Sequence, residues 1–192
     1  FNKWDAILAR SEPFKELPGT HVMWRYTRTL AFIARNEKEK AAAERAEFAN
    51  EAAAFPSEAH IGEFNSGKVV LELAGHILDA RLATAQGDQD ASIAHWKQAV
   101  AIQDTLNYDE PPDWYYPVRE SLGAGYLAAG NPTEAEKIFR DDLLRNPRNP
   151  RTLFGLTQAL RAQNREADAA WTDSQFKTAW KSADTELHLP DL

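Results

Sequence analysis

Tyr116-Pro-Val-Arg-Glu-Ser-Leu122-Gly123-Ala-Gly-Tyr126-Leu-Ala-Ala-Gly130-Asn131-Pro-Thr-Glu-Ala135-Glu-Lys-Ile-Phe139 carries the clearest architectural signal in the chain. Leu122-Gly123-x-x-Tyr126 begins a helical pattern, Gly130-Asn131 interrupts it, and Ala135, Phe139 and Pro147 mark a second helix and its end. Moving on 34 residues brings Leu156, Leu160, Asn164 and Ala169 to the matching places. A helix, a tight turn and a second helix cannot bury their apolar faces alone, so such units stack on neighbours. The spacing therefore predicts an all-α, right-handed solenoid of helical hairpins.

Working outward, four hairpins are expected, at residues 20–55, 66–107, 114–147 and 150–187, within a single domain spanning 1–192. Asn36, Gly87, Gly130 and Asn164 are the turn markers, with Asn standing for glycine in the first and last. Phe1–Arg10 reads as a leading helix without a partner, its Trp4, Ile7 and Leu8 on one side. Exposed apolar faces at solenoid ends favour weak self-association or folding back, which is the expectation for residues 1–10. Two segments, Pro56–Gly67 and Asn107–Tyr115, exceed a bare repeat and read as inserted loops. Asp113 is expected to cap the helix that follows. The last helix is expected over about Arg165–Leu187, with one face packed and one wet. Gly123 should mark a close approach of two helices, with Phe139 filling the space between units.

Composition narrows the functional classes. A net charge of −7 argues against a nucleic-acid backbone as partner, because no basic stripe offsets it. No apolar run approaches the roughly 20 residues of a membrane span, so no membrane insertion is expected. The absence of cysteine removes thiolate nucleophiles, disulfides and cysteine-based zinc sites. Nothing in the sequence assigns a cell compartment.

The repeat residues quoted above resemble the tetratricopeptide (TPR) family. Asn107-Tyr-Asp-Glu-Pro-Pro-Asp-Trp-Tyr-Tyr-Pro-Val-Arg-Glu-Ser-Leu-Gly123, Phe139-Arg-Asp-Asp-Leu-Leu-Arg-Asn-Pro147, Leu153-Phe-Gly-Leu156 and Met23-Trp-Arg-Tyr-Thr-Arg28 resemble segments of larger bacterial TPR-containing proteins. The resemblance implies the C-terminal part of a longer protein with more repeats upstream, and it implies no reaction. Asn36 and Asn164 depart from the family's turn glycines, and Asp142 stands where a small residue is usual.

Candidate chemistry is sparse. Gly62-Glu-Phe-Asn-Ser-Gly67-Lys68-Val69 approximates a phosphate loop, but Val69 replaces the magnesium-binding Ser/Thr and no strand precedes it. No two of the five histidines have the i, i+3 or i, i+4 spacing of a ligand pair on one helical face. His76 and His95 lie on adjacent helices and could meet, although ordinary packing is the expectation. Asp109, Glu110 and Asp113 read as solvated loop carboxylates or a cap. No catalytic residue, cofactor or metal is assigned, and the chain is not expected to be an enzyme.

Groove-facing positions of the first helices are expected at Tyr26 and Leu30, Ile77 and Arg81, Glu120 and Ala124, and Phe154, Gln158 and Arg161. Tyr26, Ile77, Glu120 and Phe154 occupy the places where a TPR clamp for chaperone tails would require lysine, so that clamp is absent. Trp114 and Tyr115, beside Pro111-Pro112, are either a structural plug or an aromatic rim to the groove. The expected function is non-catalytic binding of a protein or peptide on the concave face. The alternatives are a small-molecule sensor or carrier, with the 107–117 aromatic loop closing a pocket, and a purely structural assembly module.

Overall fold

The computed structural model describes residues 3–14 and 16–192. The described residues form helices and loops without a strand: α1 Trp4–Leu8, α2 Pro18–Ala34, α3 Lys38–Ala54, α4 Gly67–Gln86, α5 Gln89–Gln103, α6 Arg119–Ala128, α7 Pro132–Arg145, α8 Pro150–Ala162 and α9 Glu166–Trp180, followed by a 3-10 turn at Leu189–Asp191. Successive helices pair as α2·α3, α4·α5, α6·α7 and α8·α9, giving the four hairpins and the leading helix of a helical-hairpin solenoid.

One backbone device closes every hairpin. Asn36, Gly87, Gly130 and Asn164 have φ of 56°, 83°, 73° and 59°, in the left-handed region where glycine and asparagine are favoured. At each turn the marker's own N–H reaches back three residues, to Ile33, Thr84, Leu127 and Arg161. The next N–H reaches back five residues, from Glu37, Asp88, Asn131 and Arg165 to the carbonyls of Phe32, Ala83, Tyr126 and Leu160, at 2.8–3.0 Å. These paired bonds satisfy the last carbonyls of the first helix and reverse the chain within two residues.

The helices group into two compact units, Phe1–Tyr115 and Tyr116–Leu192, where the sequence suggested one domain. In the first unit α1 packs on α2, so the leading helix does find a partner, although it spans only Trp4–Leu8. Trp4, Ile7 and Leu8 are half-buried and Asp5 pairs with Arg35. Phe1 and Asn2, part of the expected self-association segment, lie outside the described residues. Helices α2, α3 and α4 stack around Tyr26, Phe48, Leu71 and Ile77, and Trp96 closes the core from α5.

The loops of this unit are tied together by Asn65. It is 5% exposed, accepts the N–H of Asn107 at 2.7 Å and donates to Asp113 Oδ2 at 2.7 Å. Asp113 is thereby committed to Asn65 instead of capping a helix, and α6 begins only at Arg119. Asp113 also fills the space beside Gly62, where a Cβ would come within 1.5 Å of its Oδ1. The Gly67 N–H donates to the Ala59 carbonyl at 2.9 Å. The apparent phosphate loop has thus spent these groups on its own packing.

In the second unit the Phe139 ring lies between two glycines. A Cβ on Gly123 of α6 would come within 2.5 Å of the ring, and one on Gly155 of α8 within 2.3 Å. Ala135, Leu156, Leu160 and Ala169 complete this core. Helix α9 ends at Trp180, earlier than expected, as Trp180 Nε1 donates to the Thr185 carbonyl at 2.9 Å. The chain then turns so that Leu187 and Leu192 enter the Phe139 core instead of extending a helical stripe.

Candidate functional site

Tyr26, Arg81, Phe154 and Arg161 each meet the second helix of their own hairpin, whereas Glu120 meets the next one. Tyr26 is 2% exposed, with its ring 6.4 Å from Phe48 of α3 and 5.6 Å, edge-on, from Trp114. The Arg81 guanidinium lies 5.1 Å over the Trp96 ring of α5. Phe154 meets Phe176 of α9 at 5.5 Å, and Arg161 pairs with Asp173 of the same helix at 3.4 Å. Gln158, one turn from Phe154, is half-buried. Helical positions three or four apart share a face, and this face is turned to the second helix of the hairpin. The expected lining is corrected most firmly at Tyr26 and Glu120, whose burial leaves no surface for a ligand.

Glu120 is held by Asn149 at 2.8 Å and Arg151 at 2.5 Å, and burial pushes its carboxyl above the ordinary carboxylate range despite both partners. Asp142 sits nearby, fully buried, and accepts from Thr152 at 2.5 Å and Asn146 at 2.9 Å. Its carboxyl is likewise raised by burial. Asn149 bridges the two carboxylates, reaching Asp142 at 3.5 Å. This polar core fastens α6, α7 and α8 and gives the buried Asp142 its partners. The aromatic loop divides: Trp114 is buried against Tyr26 as a plug, whereas Tyr115 is exposed.

A cleft of about 360 Å³ opens between α3 and α4 in the first unit. Phe48, Leu71 and Gly75 form its apolar floor, and Ala49, Ala52 and Ala53 of α3 form one wall. Each of these alanines is short enough to leave the cleft open, and Gly75 adds no side chain at all. Lys68 and Glu72 stand exposed toward one end of the α4 wall, and His76 and Asp79 follow along it. Arg45 grips Asp79 with two parallel bonds, Nε to Oδ1 and Nη2 to Oδ2, both 2.8 Å. Such a fork fixes the carboxylate plane as well as its position.

His76 also meets His95 of α5, Nδ1 to Nδ1, at 3.2 Å. Together with Asp79, the two rings offer three ligand atoms within 4.8 Å of one another. His76 and Asp79 stand three apart on α4, one turn along the same face, and His95 joins them across the hairpin from 19 residues away. The sequence placed the two histidines on adjacent helices that could meet, but did not add Asp79 to them.

No helix among the described residues is long and apolar enough to cross a membrane. The sequence matches no family model and no curated protein.

Proposed function

We propose that this chain is a TPR-like, non-catalytic scaffold that binds a polypeptide segment in the α3–α4 cleft. The observation that carries the reading is the cleft itself: an apolar floor walled by alanines and edged by charged side chains. Apolar grooves between helices accept the nonpolar face of a peptide, and polar groups at the edge set its direction. The occupant that fits is a short helical or extended segment with a small apolar side chain for the floor. A carboxylate on that segment would meet Lys68. Four hairpins closed by the same turn, and the TPR resemblance of Leu122–Pro147, support the scaffold class.

The test uses the full chain carrying a photo-crosslinking residue at Ala53, with Leu144 of the second unit as the reference position; Ala53 and Leu144 are both exposed. The expected result is a polypeptide adduct at Ala53 that is absent at Leu144 and is abolished by Ala49→Trp, which fills the cleft. The melting temperature of Ala49→Trp should stay close to the parent's, because Ala49 is exposed. An adduct pattern unchanged by Ala49→Trp would remove the cleft from the reading.

A further inference from the structure

We infer that His76, Asp79 and His95 form a binding site for a divalent transition-metal ion of the zinc class, open on one side to the α3–α4 cleft. The ligand types come first. Two imidazoles and a carboxylate suit zinc, cobalt or nickel, whereas calcium and magnesium favour sites built entirely of oxygen. This set is the three-ligand arrangement that leaves a further position for water or another donor.

The spacing agrees with the chemistry. Two zinc–nitrogen bonds of about 2.0–2.1 Å at a tetrahedral angle place their nitrogens roughly 3.3–3.4 Å apart. The two Nδ1 atoms stand 3.2 Å apart, with ring centroids 5.5 Å apart and planes tilted by 38°. Bringing an ion between them requires only a small outward adjustment of half-buried side chains. A hydrogen bond between neutral rings would use one N–H and one lone pair, and the Asp79 carboxylate offers a third donor atom within 4.8 Å of both rings' ligand atoms.

Asp79 is prepared for such a role by Arg45. The guanidinium occupies one lone pair on each carboxylate oxygen, and an ionised carboxylate has about four. The remaining pairs are available to an ion, while the fork prevents the group from rotating. Partners that orient a ligand in this way tune metal affinity without touching the ion. Because His76 and Asp79 both line the cleft, the open coordination position faces it. The ion site stands on its own geometry and does not depend on a peptide occupying the cleft.

The experiment titrates the full chain with Co²⁺, read by visible absorption, and with Zn²⁺, read by calorimetry. One equivalent per chain is expected, with cobalt ligand-field bands of a four- or five-coordinate ion that zinc displaces. His76→Ala and His95→Ala should each weaken binding by at least about tenfold, and Asp79→Asn by a smaller factor. Circular dichroism without metal establishes that the variants fold. The ring ¹⁵N resonances of His76 and His95 in the parent chain supply a readout that needs no variant. Zinc should shift both Nδ1 signals and leave His60 and His188 unmoved. Absence of a cobalt spectrum together with unmoved His76 and His95 resonances would overturn the site. Binding that survives in both histidine variants would place the ion elsewhere and overturn it equally.

Discussion

Two hairpin interfaces in this chain bring helices together by opposite means. Between α2 and α3 a lattice of charges borders the Tyr26–Phe48 packing: Arg25 donates to Glu44 and Glu51, Arg28 donates to the same Glu44 oxygen, and His21 sits between Glu12 and Glu51. Trp24 lies beneath both guanidiniums, at 4.9 and 4.7 Å from its ring centre. Around α7 the contact is one aromatic ring wedged between two glycines. The wedge depends on shape, since dispersion falls steeply with small gaps and overlap is strongly resisted. The lattice depends on protonation and ionic conditions, since its members carry ionisable groups and Glu12, Arg25, Arg28 and Glu51 keep partial access to water while His21 and Glu44 are buried. One fold thus adds a shape wedge to the interface that the Glu120–Asp142 polar core also fastens, and a charge lattice to the interface that Tyr26 and Phe48 also fill.

The wedge should produce the largest effects. Phe139→Ala removes a fully buried ring and is expected to destabilise by about 3–5 kcal/mol. Chemical denaturation of the full chain, monitored by helicity, measures it; a loss below about 1 kcal/mol would mean that the second unit is not organised around this ring. Gly155→Ala should cost about 1–3 kcal/mol by overpacking, since the ring has no room to retreat. Combining it with Phe139→Leu should cost less than the two single changes added together, because the smaller side chain vacates the contested space. Simple additivity would show that Gly155 and Phe139 do not compete for that volume.

The lattice should yield the smallest shift and the one that follows pH. His21 is raised above the ordinary imidazole value, chiefly by its hydrogen bond with Glu12, with burial opposing. Its charged form is therefore favoured in the folded chain. The associated stability is fully present below the unfolded value near 6.5 and is lost as pH rises through the higher folded value. Melting temperatures across that interval should fall more in the parent than in His21→Gln. Parallel curves would remove His21 from the lattice's energetics.

How much of this could be read in advance follows from which constraints are local. Asn36, Gly87, Gly130 and Asn164 announced the turns because a left-handed backbone admits few residue types. Gly123 and Phe139 were legible as a close approach. Gly155 was not, because it stands two residues out of the 34-residue register relative to Gly123. The groove positions were misread at Tyr26 and Glu120 because periodicity identifies faces of a helix, not the neighbour each face meets. The His76–Asp79–His95 group was legible only as two histidines on adjacent helices that could meet. Whether His95 reaches both His76 and Asp79 depends on how α4 and α5 are aligned across their turn, which spacing along one helix does not give.

The shared turn has a consequence for how the chain can change in length. Each reversal is written within six residues and uses a specific left-handed position, so adding a residue at Asn36 or Gly130 would break both backbone bonds at once. The α3–α4 and α5–α6 connections carry no such rule, unlike the short α7–α8 turn, where Arg148 is itself left-handed at φ 64°. Lengthening a flexible loop is cheap, about 0.6 kcal/mol for each doubling. An insertion beside Phe64 or Tyr108, both exposed, would leave the four reversals untouched. Insertions should therefore be tolerated in the α3–α4 and α5–α6 connections while the two-residue reversals inside the hairpins keep their length.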